Sequence, residues 1–136
     1  MSPLLIAGAV FAALAALIHV YIFVLESLRW TRASTRRIFG VASEDDARVT
    51  KALAFNQGFY NLFLALGAVV GIVLLLTGTA VQAGLGVAAT ALGSMVLAAT
   101  VLLVSNPKMA RSAAIQGLAP LVGLVLLIVG AALSGA

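Results

Sequence analysis

The composition of this 136-residue chain excludes a soluble globular domain, because 63% of its residues are hydrophobic and only 9% are charged. A soluble surface needs far more polar side chains than this balance supplies. The net charge of +4 does not indicate nucleic-acid binding, because short basic loops of membrane proteins are retained in the cytoplasm. The chain contains no cysteine, so disulfides and thiolate chemistry are excluded as well.

Four apolar runs follow one another along the chain, and each exceeds the roughly 20 residues that a helix needs to cross a bilayer. They predict helices at about residues 3–29, 44–77, 81–105 and 111–134. The first run lacks a basic leader and is too long for a cleaved signal peptide. We therefore expect an all-α integral membrane protein, a four-helix transmembrane bundle that forms a single domain over residues 1–136.

All charged side chains fall at the same end of the predicted four-helix bundle. All of them lie between Glu26 and Lys51 or at Lys108 and Arg111, whereas the termini and the turn at residues 77–82 carry none. Because basic loops remain cytoplasmic, we expect both charged loops to face the cytoplasm and both termini to lie outside the cell membrane.

The first charged loop contains two further local patterns. Ser43 with Asp46 three residues later predicts a capping box at the start of the second long helix, near Glu44. The stretch WTRASTRR (residues 30–37) combines Trp30 with basic residues and predicts an interfacial anchor. Membrane lipids with anionic headgroups are therefore expected partners of the chain.

Polar residues inside the apolar runs are the candidates for function. His19 and Glu26 are the only ionisable side chains of the first run, and their spacing of seven places them on one face of a helix. Ionisable residues within a membrane usually face a protein interior or a wet cavity. We expect His19 to be the catalytic acid or base and Glu26 its charge partner. The candidate ligand-binding residues are Gln57, Tyr60, Asn61 and Gln116.

The depth of these residues follows from the helical rise and the flanking charges. Counting from Arg29, Lys51 and Arg111 places Glu26, Gln116 and Gln57 roughly 5 to 9 Å deep, and His19 and Asn61 about 15 Å deep. The prediction is an outer and an inner polar layer within the cytoplasmic half. One His with one Glu supplies too few ligands to indicate a metal, and no cofactor is predicted.

Small residues indicate where the helices approach one another. They recur at helical spacing in every run: Gly8, Ala12 and Ala15; Gly67 and Gly71; Gly86, Thr90 and Ser94; Pro120, Gly123 and Gly130. This is more small-residue surface than one four-helix bundle requires. We therefore expect a homo-oligomer, a dimer or a trimer.

The pattern leaves several functions open. The polar residues fit a site that binds or acts on a lipophilic small molecule or lipid, and whether the chain is an enzyme stays open. They also fit a small proton-coupled transporter in which Glu26 carries the proton. In a third, structural interpretation, the polar residues only fix helix packing, and Glu26 pairs with Arg29 at the interface.

Four segments together carry a resemblance to a known family. They are HVYIFVLESLRW (residues 19–30), IFG (38–40), FNQGFYNLFLALG (55–67) and QGLAP (116–120). In these segments the chain resembles the membrane proteins grouped as domain of unknown function 1304. The resemblance implies a four-span protein with the same polar residues, and it implies no particular activity.

Overall fold

The computed structural model describes residues 2–135, and that part of the chain contains helices and no strand. Five α-helices, one π-helical turn and one 3-10 turn follow in this order: α1 (Pro3–Phe23), the π-helical turn (Val24–Leu28), α2 (Ala33–Phe39), α3 (Glu44–Thr77), α4 (Val81–Ser105), the 3-10 turn (Pro107–Met109) and α5 (Ala110–Ser134). Four stretches are long and apolar enough to cross a membrane: α1 with the π-helical turn, α3, α4, and α5 with its preceding 3-10 turn.

Each of the four long helices packs mainly against two others. Helix α1 contacts α3 and α5, and α4 contacts the same two helices from the other side. Helices α1 and α4 hardly touch each other. The buried residues between the helices are mostly alanine, with a few larger side chains such as Leu92, Met95 and Leu127.

Glycines set the closest approaches between helices. A Cβ atom added to Gly71 would lie 2.5 Å from the backbone nitrogen of Ala88, so α3 and α4 touch backbone to backbone there. A Cβ atom added to Gly8 would lie 2.8 Å from the Leu127 side chain and 3.0 Å from its backbone nitrogen, so α1 and α5 also approach closely. Membrane helices associate through such small-residue contacts because lipid supplies no hydrophobic force between them.

One side of α4 packs only loosely beside α3. Gly86 and Thr90 are exposed and Ser94 is half-buried. A Cβ atom added to Gly86 would meet nothing within 4 Å. The stripe of small residues predicted on this helix therefore lines an open cleft beside α3 and makes no close contact at Gly86.

The ends of the helices follow local rules. The predicted capping box is confirmed, because Ser43 Oγ accepts from the backbone N–H of Asp46 at 3.0 Å while the Asp46 carboxylate accepts from the N–H of Ser43. Helix α3 ends at Gly78, whose φ of 68° is in the left-handed region that glycine adopts without strain. The hydroxyl of Ser2 caps α1 by accepting from Leu5.

The helix expected at about residues 3–29 changes type near its end. The α-helix stops at Phe23, and Val24–Leu28 form a π-helical turn. A π-turn bonds residue i to i+5, so it contains an extra residue and rotates everything after it around the helix axis. The sequence also did not predict α2, which forms inside the basic stretch.

Candidate functional site

The carboxylate of Glu26 and the amide of Asn61 form the polar contact between α3 and the π-helical turn. Asn61 Nδ2 donates to Glu26 Oε2 at 2.9 Å and also to the backbone oxygen of Gln57 at 3.2 Å. Both side chains are half-buried. Within residues 2–135 no Lys or Arg lies within ion-pair distance of Glu26, so the alternative pairing with Arg29 does not form. Glu26 is thus an acidic group without a basic partner.

Two residues that sequence reasoning missed hold this contact in place. Ser27 Oγ donates to the backbone oxygen of Phe55 at 2.8 Å, and Gly58 lies directly opposite Ser27. A Cβ atom at position 58 would clash with Ser27 Oγ and lie 3.0 Å from the Ser27 backbone nitrogen, so a side chain here would displace the hydroxyl that bonds to Phe55. A glycine inside a long helix, directly after Asn56 and Gln57, was the signal available in the sequence.

A row of aromatic rings lines the same helix on another side. Phe59 packs edge-to-face on Phe23 with ring centroids 5.1 Å apart, and it also contacts Phe55 and Phe63 at 5.0 and 6.2 Å. Two residues along an α-helix correspond to a rotation of about 200°, so Phe59 and Asn61 point to nearly opposite sides of α3. The phenylalanine row therefore secures the contact between α1 and α3 without facing the Glu26–Asn61 pair.

His19 is buried, with 1% of its surface exposed, and it is not bonded to Glu26. Its Nδ1 atom lies 2.9 Å from the backbone oxygen of Ala15 on the same helix. Because that oxygen only accepts, Nδ1 carries a proton, and the Nε2 atom of a neutral ring is left as an acceptor. Seven residues rise about 10 Å along an α-helix, so the two side chains are two turns apart, and the π-helical turn also rotates Glu26 relative to His19.

The packing of α1 on α5 brings His19 to the level of Gln116. The two helices run antiparallel with Leu5 opposite Gly130 and Gly8 opposite Leu127. His19 lies 14 residues after Leu5 on α1, and Gln116 lies 14 residues before Gly130 on α5, so the same register places the two residues at one level. Pro120 has no N–H to donate to the carbonyl of Gln116, so this level contains one backbone oxygen without its usual helical partner.

The remaining candidates lie apart from these two levels. The side chains of Gln57 and Tyr60 are exposed on α3, and Tyr60 retains 58% of its surface. Neither makes a side-chain hydrogen bond to the other candidates in the described part of the chain. The structure thus pairs Glu26 with Asn61, sets His19 level with Gln116, and leaves Gln57 and Tyr60 outside both groups.

The predicted depth order of the polar residues is wrong for one pair. Counting from the flanking charges placed Asn61 about 10 Å deeper than Glu26, yet the two side chains are in direct contact. The count from Lys51 fails because Gly58 lies opposite Ser27 in the antiparallel pair of helices. This offset places Lys51 further toward the loop than Arg29, so the two charges do not mark the same level. Glu26 and Asn61 therefore belong to one layer.

Cavities occur elsewhere on the described surface. An open cleft of about 440 Å³ lies between the start of α1 and the end of α3, near Leu5 and Gly78. A second cleft of about 350 Å³ runs between α3 and α4 along Gly67, Gly86 and Thr90. Neither contains a candidate polar residue. Over residues 2–135 there is also no group of three His, Cys, Asp or Glu side chains that a metal would need.

Four membrane-length helices that pack through small residues define the chain as a helical, multi-pass membrane protein. It matches the family described as Protein of unknown function (DUF1304) over residues 13–128 and belongs to that family. The resemblance seen in the sequence is thereby confirmed. Neither a curated protein nor a solved structure matches the chain.

Proposed function

We propose that this membrane protein binds a lipophilic small molecule or a lipid at the Glu26–Asn61 pair. The observation that carries the proposal is a half-buried carboxylate in a membrane-length helix with an amide partner and no basic one. An ionised group is costly in hydrocarbon, and such residues mark sites for substrates, ions or protons. Asn61 donates to Oε2 of Glu26, and a ligand that donates a hydrogen bond would give Oε1 a partner as well.

The surroundings of the pair support a site that opens at one end of a four-helix transmembrane bundle. Glu26 lies three residues before Arg29, and the positive charge of the loop that follows supports a cytoplasmic position for this end of the bundle. A ligand would approach from the cytoplasmic leaflet. The π-helical turn around Glu26 supports the same interpretation, because π-turns inside helices frequently occur at functional sites.

The remaining polar residues have secondary roles in this proposal. His19 offers an acceptor nitrogen at the level of Gln116, one layer further from the basic loop than Glu26. These two residues would contact a ligand that reaches past the Glu26–Asn61 pair, and His19 would then be the acid or base of any reaction. Gln57 and Tyr60 are exposed and would contact the part of a ligand that remains in the lipid.

Thermal unfolding of the purified protein in mild detergent tests the proposal. A panel of lipids and lipophilic compounds is screened for a rise in the unfolding temperature of the unaltered protein. We expect Glu26→Gln and Asn61→Leu to abolish the rise caused by an active compound, since both remove the paired polar groups. Glu44→Gln is the matched control, because Glu44 is exposed and pairs with Arg48 at 2.7 Å. A rise that persists in both site variants contradicts the proposal.

Proton-coupled transport is the second candidate, and the missing basic partner of Glu26 favours it specifically. A carboxylate without a fixed counter-charge is free to exchange protons with its substrate. The expected result is substrate-dependent proton flux in proteoliposomes that Glu26→Gln abolishes. Flux that is unchanged in that variant removes Glu26 from a transport mechanism.

A further inference from the structure

Near the terminus end of the bundle, where α1 begins and α5 ends, close contacts join the long helices into two halves. In the α1–α5 half, a Cβ atom added to Gly130 would lie 3.1 Å from the backbone nitrogen of Leu5. In the α3–α4 half, one added to Gly84 would lie 2.7 Å from the backbone nitrogen of Leu75. The cleft beside Gly67 opens on one side of the second half and leaves this backbone contact in place. Because backbones meet directly within each half, we expect each half to move as one body.

The side-chain hydrogen bonds between the two halves all lie toward the opposite end, the charged-loop end, which carries the basic loop and the 3-10 turn. Within residues 2–135 these bonds run from Trp30 to Thr50, from Ser27 to Phe55 and from Asn61 to Glu26. Gly117 adds a close approach between α5 and α4, since a Cβ atom there would lie 2.8 Å from that of Ala99. The two halves are therefore fastened to each other at the charged-loop end.

The chain also crosses from one half to the other only at the charged-loop end. Residues 29–43 lead from the π-helical turn to α3, and residues 106–109 lead from α4 to α5. The turn at residues 78–80 lies at the terminus end, and it joins α3 to α4 within one half. No covalent connection therefore ties the two halves together at the terminus end in the part of the chain that the structure describes.

The open cleft of about 440 Å³ lies between the two halves at the terminus end. Leu5 and Ser134 line it from the α1–α5 half, and Leu75 and Thr77 line it from the α3–α4 half. The hydroxyls of Ser134 and Thr77 each donate to the carbonyl four residues earlier in their own helix, so neither bonds across the cleft. The walls of the cleft are therefore free of the polar ties that fasten the charged-loop end.

We propose that the α1–α5 half and the α3–α4 half hinge about the charged-loop end, so that the cleft at the terminus end opens and closes. Hinge motions take this form, in which residues at the ends of a few elements absorb the change while packed bodies stay rigid. In a bilayer, lipid chains fill an opened apolar cleft, so no hydrophobic force holds its walls together. The hinge does not depend on what the Glu26–Asn61 pair binds.

Distances between spin labels in nanodiscs test the hinge, and because the chain has no cysteine, introduced cysteines carry the only labels. Labelled protein is diluted with unlabelled protein, so that only distances within one chain are measured. Leu76→Cys with Leu133→Cys, both exposed, spans the cleft from α3 to α5. Leu53→Cys with Ile115→Cys joins the same two helices near the charged-loop end and is the matched control. We expect the distance distribution across the cleft to be at least about twice as wide as that of the control.

A third pair separates motion of the halves from motion of single helix ends. Ile6→Cys with Leu133→Cys lies within the α1–α5 half and shares one label with the pair across the cleft. Its distribution should be as narrow as that of the charged-loop control. Equal widths for all three pairs overturn the hinge, because the two ends of the bundle would then be equally rigid. A within-half distribution as wide as the one across the cleft overturns the two rigid halves, because the helix ends would then move singly.

Removing two of the fastening bonds provides a second test. Ser27→Ala combined with Asn61→Leu deletes two of the three hydrogen bonds between the halves, so the charged-loop distribution from Leu53 to Ile115 should widen toward that of the cleft. Thr100→Val, which removes a hydroxyl bonded within α4, should leave it unchanged. A charged-loop distribution that stays narrow in the double variant contradicts the assignment of these bonds to the hinge. The comparison of the three label pairs needs neither variant and tests the hinge by itself.

Discussion

Asn61 donates to Glu26 across 35 positions of sequence, at a distance of 2.9 Å between Nδ2 and Oε2. The contact joins the π-helical turn to the middle of α3, and it is reinforced by Ser27, which donates to the backbone of the same helix. Because Asn61 also bonds to the carbonyl of Gln57, its amide is held in one orientation. The carboxylate of Glu26 therefore meets a preorganised donor.

The energetic value of this contact is testable by removing its amide. Asn61→Leu should lower the free energy of unfolding by about 1–2 kcal/mol, because it leaves a half-buried carboxylate without its donor. Gln57→Leu, one turn earlier and exposed, should change it by less than about 0.5 kcal/mol. Reversible unfolding in mixed micelles gives both values. Equal effects at the two positions would mean that the Glu26–Asn61 bond contributes nothing to stability.

A side chain at position 58 should lower the stability of the protein. Gly58→Ala places a methyl group against Ser27 Oγ, and the resulting separation of α1 and α3 should cost about 1–3 kcal/mol of stability. Gly93→Ala is the control, since its added methyl meets nothing within 4 Å and alanine favours the helix by about 0.5–1 kcal/mol. Combining Gly58→Ala with Ser27→Gly should recover part of the loss. A stable Gly58→Ala variant would show that the two helices do not approach this closely.

The two glycines of the GxxxG pattern on α3 should differ in their tolerance of alanine. A Cβ atom at Gly71 would meet the backbone nitrogen of Ala88 at 2.5 Å, whereas one at Gly67 makes an ordinary contact with the Ala91 side chain at 3.5 Å. Gly71→Ala should therefore destabilise by about 1–3 kcal/mol. Gly67→Ala should be neutral or stabilising. The measurement is the unfolding temperature of each variant. A Gly67→Ala variant that unfolds at a lower temperature than Gly71→Ala would contradict the packing of α3 on α4.

His19 allows a structural role to be separated from a functional one. Its side chain bonds only to a carbonyl of its own helix, so His19→Leu removes no contact between helices through a hydrogen bond. We expect the free energy of unfolding to change by less than about 1.5 kcal/mol, as for a core substitution of similar volume. If His19 contacts the ligand, the ligand-dependent stabilisation is lost in this variant while the fold remains. A large loss of stability together with an unchanged ligand effect would assign His19 to packing alone.

The predicted homo-oligomer should use the side of α4 that lines the cleft beside α3. Gly86, Thr90 and Ser94 form a stripe of small residues that makes no tight contact within the chain, and such stripes let membrane helices associate. Native mass spectrometry in mild detergent should detect a dimer or a trimer, and Gly86→Leu should shift it to the monomer. Leu103→Val, exposed further along the same helix but on another side of it, is the control. A monomer for the unaltered protein in several detergents and in nanodiscs would exclude the oligomer.

Local features of the sequence determined the spans, the cap of α3 and the types of residue worth examining. Hydropathy adds up along a run, so the 26 mostly apolar residues from Pro3 to Leu28 predict a spanning segment whatever surrounds them. The capping box is equally local, because Ser43 and Asp46 satisfy backbone groups within one turn of each other. Glu26 and Asn61 were candidates for the same kind of reason, since polar groups in apolar helices need partners.

Only the tertiary structure decided which of the polar residues meet. A helix that is apolar on every side has no face marked for burial, so its sequence pattern reveals neither its rotation nor its offset along a neighbour. Those two quantities come from the contact of Gly58 with Ser27 and of Gly71 with Ala88, where shape alone sets the fit. The π-helical turn adds a rotation between His19 and Glu26 that α-helical spacing does not contain. For this reason Glu26 bonds to Asn61 while His19 lies at the level of Gln116.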